Sequence, residues 1–252
     1  MEWRRDGEAE WLEARLPPAT AAFSTRRGGV SDGPVESLNL GVFTEDDPRR
    51  VVENRRRLAG HLGLDPARIV IGHQVHGAEL AEHLGPQRPP PFREPGSPIP
   101  DVDGHVTSSR GLAALVFVAD CLPVALCGPR GVAMLHCGWR GLSAGIVERG
   151  AAAVEATDAA IGPGIGRCCY EVGDEVLSAF APLGDEVAAG RRLDLGAVAR
   201  LLLESAGVER IEVAGCCTSC EAGRFFSHRR DGGRTGRQAG LVWIEAADRG
   251  EE

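Results

Sequence analysis

Apolar and polar positions along the chain fall into segments of two periods. Asp47-Pro48 opens a segment with Val51, Val52, Leu58 and Leu62 on one side, closed by Gly63. An acidic cap, proline in the first turn and glycine past the end predict a helix from about 48 to 62. Ile69-Val70-Ile71 starts a strand expected to run to Val75 or His76, and the unbroken apolar run from Leu112 to Val118 reads as a strand buried on both faces. Leu122–Cys127 and Val132–His136 are two short apolar runs joined by Gly128-Pro129-Arg130-Gly131, the signature of a β-hairpin. Helices are expected from Leu142 to about Val154 and from Leu193 to Ala206, with further strands at Glu209–Ala214 and Leu241–Ile244. Interspersed strands and helices predict an α/β mixed (α+β) layered sandwich around a large mixed β-sheet. No repeat or composition break divides the chain, so residues 1–252 are read as one domain carrying a proline-rich surface loop at 85–100.

The hairpin makes a chemical prediction. A turn at 128–131 sets Cys127 opposite Val132, Pro123 opposite His136 and Cys121 opposite Gly138. Side chains alternate between faces, so Cys121 and His136 become diagonal neighbours on one face, with Cα atoms about 7–8 Å apart. Such a pair can converge on one metal ion. Cys137 points to the other face, and a slip of one residue would exchange it for His136. In His73-Gln74-Val75-His76 the two histidines have opposite parity, and His76, on the face of Gln74, is the natural third ligand. Two histidines and one cysteine leave a fourth position open, as in a catalytic zinc site.

Composition narrows the function. The 252 residues carry a net charge of −8, which argues against non-specific nucleic-acid or membrane-surface binding. No apolar run is long enough to span a membrane, and the first 23 residues lack a signal-peptide pattern, so a cytoplasmic protein with reduced thiols is expected. All 28 basic residues are arginine. Schiff-base chemistry on lysine is thereby excluded, and an anion must be held by arginine, backbone N–H or metal. Arg26 and Arg140, beside glycines, are the candidates for holding phosphate. Gly162-Pro163-Gly164-Ile165-Gly166 is not a Walker loop and makes only half of a dinucleotide fingerprint. Cys217-Thr218-Ser219-Cys220 is a lone CxxC, and Cys168-Cys169 is not spaced as its partner, so both are read as structural thiols, with an oxidation-sensitive thiol pair as the alternative.

An ordered set of strings then carries a resemblance: Phe23-Ser-Thr-Arg-Arg-Gly-Gly-Val-Ser31, Ser37-Leu-Asn-Leu-Gly41, Glu53-Asn-Arg55, Gln74-Val-His-Gly77, Ala119-Asp-Cys-Leu-Pro123, His136-Cys-Gly-Trp-Arg-Gly141, Ile161-Gly-Pro163, Cys169-Tyr-Glu-Val172, and Phe226-Ser-His-Arg-Arg-Asp231 with Thr235-Gly-Arg-Gln238. In this order they resemble the YfiH/YlmD family, once labelled laccase-like or multicopper polyphenol oxidase. The resemblance covers about 23–244. It implies a fold similar to the catalytic domain of cytotoxic necrotizing factor, a deamidating toxin that uses Cys and His. It also implies phosphorolysis of purine nucleosides, including methylthioadenosine, and deamination of adenosine. The family's zinc ligands fall on His76, Cys121 and His136. The catalytic set it implies is Cys121, His136, Asp120, Arg26 and Arg140, with substrate contacts at Asn39, Gln74 and Arg140; Asp120 would orient a ligand or move a proton. Expected partners are nucleosides and phosphate, with a monomer as the simplest state. Two departures stand out: Cys137 where the family commonly has alanine, and His228 where it commonly has tyrosine. Competing readings are a metal-free hydrolase with Cys121 as nucleophile and His136 as base, editing of peptidoglycan precursors, and a copper oxidase. The last is disfavoured by seven histidines and two methionines in all.

Overall fold

The computed structural model describes residues 1–246; the end of the 1–252 span lies outside the described residues. In chain order its elements are β1 (Glu2–Asp6), β2 (Ala9–Leu16), β3 (Ala19–Ser24), α1 (Pro48–His61), β4 (Ile69–Val70), β5 (Leu80–Glu82), β6 (Gly104–Thr107) and β7 (Ala113–Val118). They continue as β8 (Leu122–Gly128), β9 (Gly131–Cys137), α2 (Trp139–Ser143), α3 (Ile146–Val154), β10 (Asp158–Ile161) and α4 (Asp174–Phe180). The chain closes with β11 (Ala188–Ala189), β12 (Arg192–Leu193), α5 (Leu195–Ser205), β13 (Arg210–Val213) and β14 (Gln238–Ile244).

Twelve of these strands build two six-stranded mixed sheets, ordered β1-β2-β3-β14-β7-β4 and β13-β10-β8-β9-β6-β5, and β11 pairs with β12 in a separate two-stranded ribbon. The central strands are covered on both faces, which is why apolar residues dominate them. In β7, Ala114, Val116 and Val118 point into the core between the sheets, with Phe23, Met134 and Val242. Ala113 and Leu115 point outward to Leu58 and Ala59 of α1. On the far side of the second sheet, Val124, Leu126, Leu135 and Cys137 pack under Ile146, Val147 and Val154 of α3 and Val198 and Leu203 of α5. The layered mixed α/β sandwich is therefore as the sequence predicts, with the strands divided between two stacked sheets. Burying a leucine such as Leu58 in these layers contributes about 1.5–3 kcal/mol, so truncation there would loosen α1 from its sheet.

Several local expectations change. α1 starts as expected, with the Asp47 carboxylate accepting from Arg49 N–H at 2.9 Å, but Val52 lies off the buried stripe and is 40% exposed. The helix expected over 142–154 breaks into α2 and α3 at Gly145, whose φ of +85° suits a residue without a Cβ. The proline-rich loop is anchored in the core: Phe92 is fully buried, and the Arg55 guanidinium donates to the carbonyls of Leu40, Pro91 and Phe92. Burial pulls Arg55 down to about 10, which still leaves it charged at neutral pH. The strand expected through Val75 or His76 stops at Val70, and the chain leaves the sheet as a loop.

A cysteine and two histidines at the floor of a cavity

β8 and β9 pair with Cys127 opposite Val132 and Pro123 opposite His136, the register read from the turn. Cys121 immediately precedes β8, and His136, 4% exposed, lies one residue from the end of β9. Cys137 is fully buried on the opposite face, beneath the helices, and burial pushes its thiol well above the ordinary range. Gly138 follows. A Cβ there would lie 2.9 Å from Cys121 Sγ and 3.4 Å from the His76 ring, so a bare backbone at this position gives the two side chains their space.

His76 arrives from the loop after β4, and a buried carboxylate determines that loop's course. Asp103, with no exposed surface, precedes β6. Its Oδ1 accepts from His76 N–H at 2.9 Å, and its Oδ2 accepts from the N–H groups of Val75 at 3.1 Å and Gly77 at 2.7 Å. These bonds hold His76 at φ +61°, a conformation that costs a non-glycine residue of order 1–3 kcal/mol. The same Oδ1 lies 2.7 Å from His136 Nδ1, which fixes that ring and leaves Nε2 to face the site. Ligand atoms of His76, Cys121 and His136 all lie within 4.8 Å of one another, and the two imidazole centroids are 4.9 Å apart.

The trio is electrostatically coupled. Burial raises the Cys121 thiol, but the charge of His136 and hydrogen bonds from His136 and His76 outweigh it and bring the thiol down to about 6. Burial likewise lowers His136, but the Cys121 and Asp103 charges outweigh it and lift the ring to about 9. Burial pushes the Asp103 carboxyl up, and its bonds from His136 and the loop N–H groups bring it below the usual carboxylate range. The result at neutral pH is a thiolate beside an imidazolium, backed by a carboxylate. Two histidines and a thiolate also suit a transition-metal ion, with Asp103 as the carboxylate that orients a ligating histidine.

The trio floors a cavity of about 600 Å³. Gln74 lines it, but the amide is engaged with the backbone of Phe117 in both directions, at 2.7 Å each way. Asp120 also lines it, at φ +95°. Its two oxygens accept from Thr218 Oγ1 at 2.6 Å and Arg229 N–H at 2.7 Å, so its carboxylate ties two loops to the site. Arg140 stands at the rim, exposed, its guanidinium 4.4 Å above the Trp139 ring and without a hydrogen-bond partner among the described residues. Arg26 is not on the cavity wall: it donates to the carbonyls of Glu36 and Ala222 and lies over Phe226. Asn39 is buried behind the wall, where it accepts from Gly41 and Arg237 N–H and donates to Thr44 and Asp46. Sequence reasoning passed over Asp103, Tyr170, Arg229 and Arg237. No local pattern marks Asp103: it follows Asp101 in Asp-Val-Asp, and the strand after it, Gly104–Thr107, is of mixed polarity.

Residues 20–245 match the family model described as multi-copper polyphenol oxidoreductase laccase. The chain belongs to this family, which includes YfiH and YlmD. One relative is purine nucleoside phosphorylase YlmD of Geobacillus stearothermophilus, 38% identical over 92% of this chain and 93% of that one. Another is purine nucleoside phosphorylase YfiH of Escherichia coli (strain K12), 38% identical over 89% and 93%. The crystal structure of Bacillus licheniformis hypothetical protein YfiH superposes with a TM-score of 0.86 at 31% identity, covering 96% of this chain and 99% of that one. The stretch matched to the polyphenol oxidoreductase family contains His76, Cys121 and His136, Asp103 and every wall residue named above.

Proposed function

We propose that this chain is a cytoplasmic, zinc-dependent purine nucleoside phosphorylase that also deaminates adenosine and cleaves methylthioadenosine. The observation that carries the reading is the His76–Cys121–His136 cluster at the floor of a cavity whose wall bears arginines and aromatic rings. The cavity volume lies within the range of small-molecule sites and is ample for a nucleoside with phosphate. Phe117, Trp139 and Tyr170 offer faces for a purine, and Arg140, without a hydrogen-bond partner among the described residues, is placed to hold phosphate. Burial, reinforced by the Cys121 charge, pushes Tyr170 up to about 12, so its hydroxyl remains a donor at neutral pH. In phosphorolysis a phosphate oxygen forms the bond to the sugar C1′ while the bond from C1′ to the base breaks, and the base departs with the electron pair. Deamination forms a bond from a water oxygen to the adenine ring carbon that bears the amino group, and that group leaves as ammonia.

Zinc bound by the trio would supply the electrostatic activation that water or an anion needs at neutral pH. Zinc is favoured over copper by the ligand inventory. A multicopper enzyme requires several histidine clusters, whereas the described residues offer this one and a group of four cysteines. No methionine lines the cavity to act as the weak axial ligand of an electron-transfer copper. Cavity chemistry through a metal-free Cys121 nucleophile is the second reading, favoured by the Cys121–His136–Asp103 chain of thiolate, imidazolium and carboxylate. Phosphate-dependent release of base from inosine, adenosine and methylthioadenosine is the direct test. Hydrolysis of these nucleosides at a rate indifferent to phosphate would overturn the phosphorylase.

A further inference from the structure

Four cysteines outside the cavity meet where two loops run side by side. β10 and β13 are adjacent and parallel, so the chain leaves both at the same end of the sheet. The two outgoing loops stay in contact: Gly164 bridges Cys217, and Thr218 N–H donates to the Gly164 carbonyl at 2.9 Å. Cys168 and Cys169 lie on the first loop, Cys217 and Cys220 on the second. The four sulfur atoms all fall within 4.8 Å of one another.

The spacing selects among the ways sulfurs can sit together. Cys168 and Cys169 lie 3.5 Å and 3.4 Å from Cys220. A disulfide needs about 2.05 Å. Four sulfurs about 2.3 Å from one tetrahedral ion stand about 3.8 Å apart, close to what is seen. The backbone is shaped for the cluster as well. Gly166 donates its N–H to Cys217 Sγ at 3.3 Å, and a Cβ on Gly166 would lie 3.2 Å from Cys217 Cβ and 3.3 Å from Cys168 Sγ. Cys168 and Cys220 are exposed, so an ion can enter from solvent. The donor set has no carboxylate, which selects a soft tetrahedral cation over a hard one.

We propose that Cys168, Cys169, Cys217 and Cys220 bind one zinc ion as four thiolates, at a site separate from the cavity. Binding releases the thiol protons to solvent and leaves no open coordination position, so the ion is a clip rather than a catalyst. What it positions is the cavity wall. Thr218, next to Cys217, donates to Asp120 and accepts from Arg230 Nη1 at 2.8 Å through its carbonyl, while Tyr170, next to Cys169, lines the cavity. The sequence conceals this site because its ligands pair a CxxC with two adjacent cysteines brought to it by the parallel strands.

The clip stands or falls independently of the cavity's chemistry. The test uses the full chain with Cys121→Ala, which removes the thiolate of the cavity trio, titrated with cobalt(II) and then zinc. The expected result is one cobalt per chain with strong thiolate-to-cobalt charge-transfer absorption, its displacement by zinc, and its loss on adding Cys217→Ser and Cys220→Ser. A measurement on the unaltered chain covers the case in which those variants fold poorly. In zinc-replete protein the exposed Cys168 and Cys220 should react with a thiol reagent at least about tenfold more slowly than after chelator is added. Immediate reaction in zinc-replete protein, absence of cobalt binding in Cys121→Ala, or an intact mass lighter by a disulfide's two hydrogens would overturn the proposal.

Discussion

Asp103→Asn is the most informative single change to the site. The carboxylate accepts four bonds, two on each oxygen: from His76 N–H and His136 Nδ1 on Oδ1, and from Val75 and Gly77 N–H on Oδ2. Asparagine keeps one acceptor oxygen and turns the other into a donor, so whichever way the amide sits, two donors face an NH₂ group. Each buried donor left unpaired costs about 1–3 kcal/mol, giving about 2–6 kcal/mol for the pair. The loop that holds His76 in its left-handed conformation loses its anchor, or His136 loses its orienting partner. Weakening the group behind a ligating histidine typically costs 10–100-fold in metal affinity, roughly 1.4–2.8 kcal/mol. Denaturant unfolding of the metal-free protein and chelator competition on the loaded protein measure the two effects separately. The exposed His73–Asp101 pair provides the control: its groups are 48% and 71% exposed, so Asp101→Asn should change stability by no more than about 1 kcal/mol. Asp103→Asn that unfolds within about 0.5 kcal/mol of the unaltered chain and keeps its metal affinity within about threefold would refute the role assigned to this carboxylate.

Three further outcomes follow from the same geometry. Gly138→Ala places a methyl group 2.9 Å from Cys121 Sγ, so metal affinity measured by chelator competition should fall while the circular dichroism of the fold is retained; unchanged affinity would mean the cluster has slack that this close approach denies. Arg140→Met should raise the phosphate KM of inosine phosphorolysis several-fold and spare adenosine deamination, and equal loss of both activities would make Arg140 a nucleoside or structural contact. His105 is fully buried, and burial, followed by the His83 charge, holds it down to about 3 against an ordinary 6.5. The folded state therefore binds fewer protons than the unfolded state between these values, stability falls as pH drops through that window, and the loss between pH 6.5 and 5 is about 1–2 kcal/mol; His105→Phe should flatten this slope in denaturant titrations, and an unchanged slope would contradict it.

The hairpin was legible because a four-residue turn fixes register, and register decides which of Cys121, His136 and Cys137 share a face. The layering was legible wherever strands are apolar on both sides, as in β7 and β8. The N-terminal strands were hidden by composition: Leu12, Ala14 and Leu16 alternate inward, but Glu13 and Arg15 between them make the segment look merely mixed. The path of 71–77 was hidden for a different reason. Its apolar start suggests a strand, yet a carboxylate far along the chain, Asp103, collects its N–H groups into a loop, and no local pattern reports a bond made at that separation. Arg26 and Asn39 illustrate the same limit. Both lie in glycine-rich or family-like strings, but their hydrogen bonds are spent shaping the loops behind the wall rather than facing the cavity.

The central claim is that the hairpin register builds a metal site serving phosphorolysis, and Cys121 and Cys137 separate it from its alternatives. The decisive measurement is elemental analysis of protein purified without chelator or metal-affinity resin, paired with phosphate-dependent inosine cleavage on the same samples. Cys121→Ala should lose about one zinc per chain relative to the unaltered protein together with its phosphorolysis, whereas Cys137→Ala, on the helix-covered face, should keep both. Zinc content and phosphorolysis retained in Cys121→Ala, or full activity in protein stripped of metal, would contradict the account.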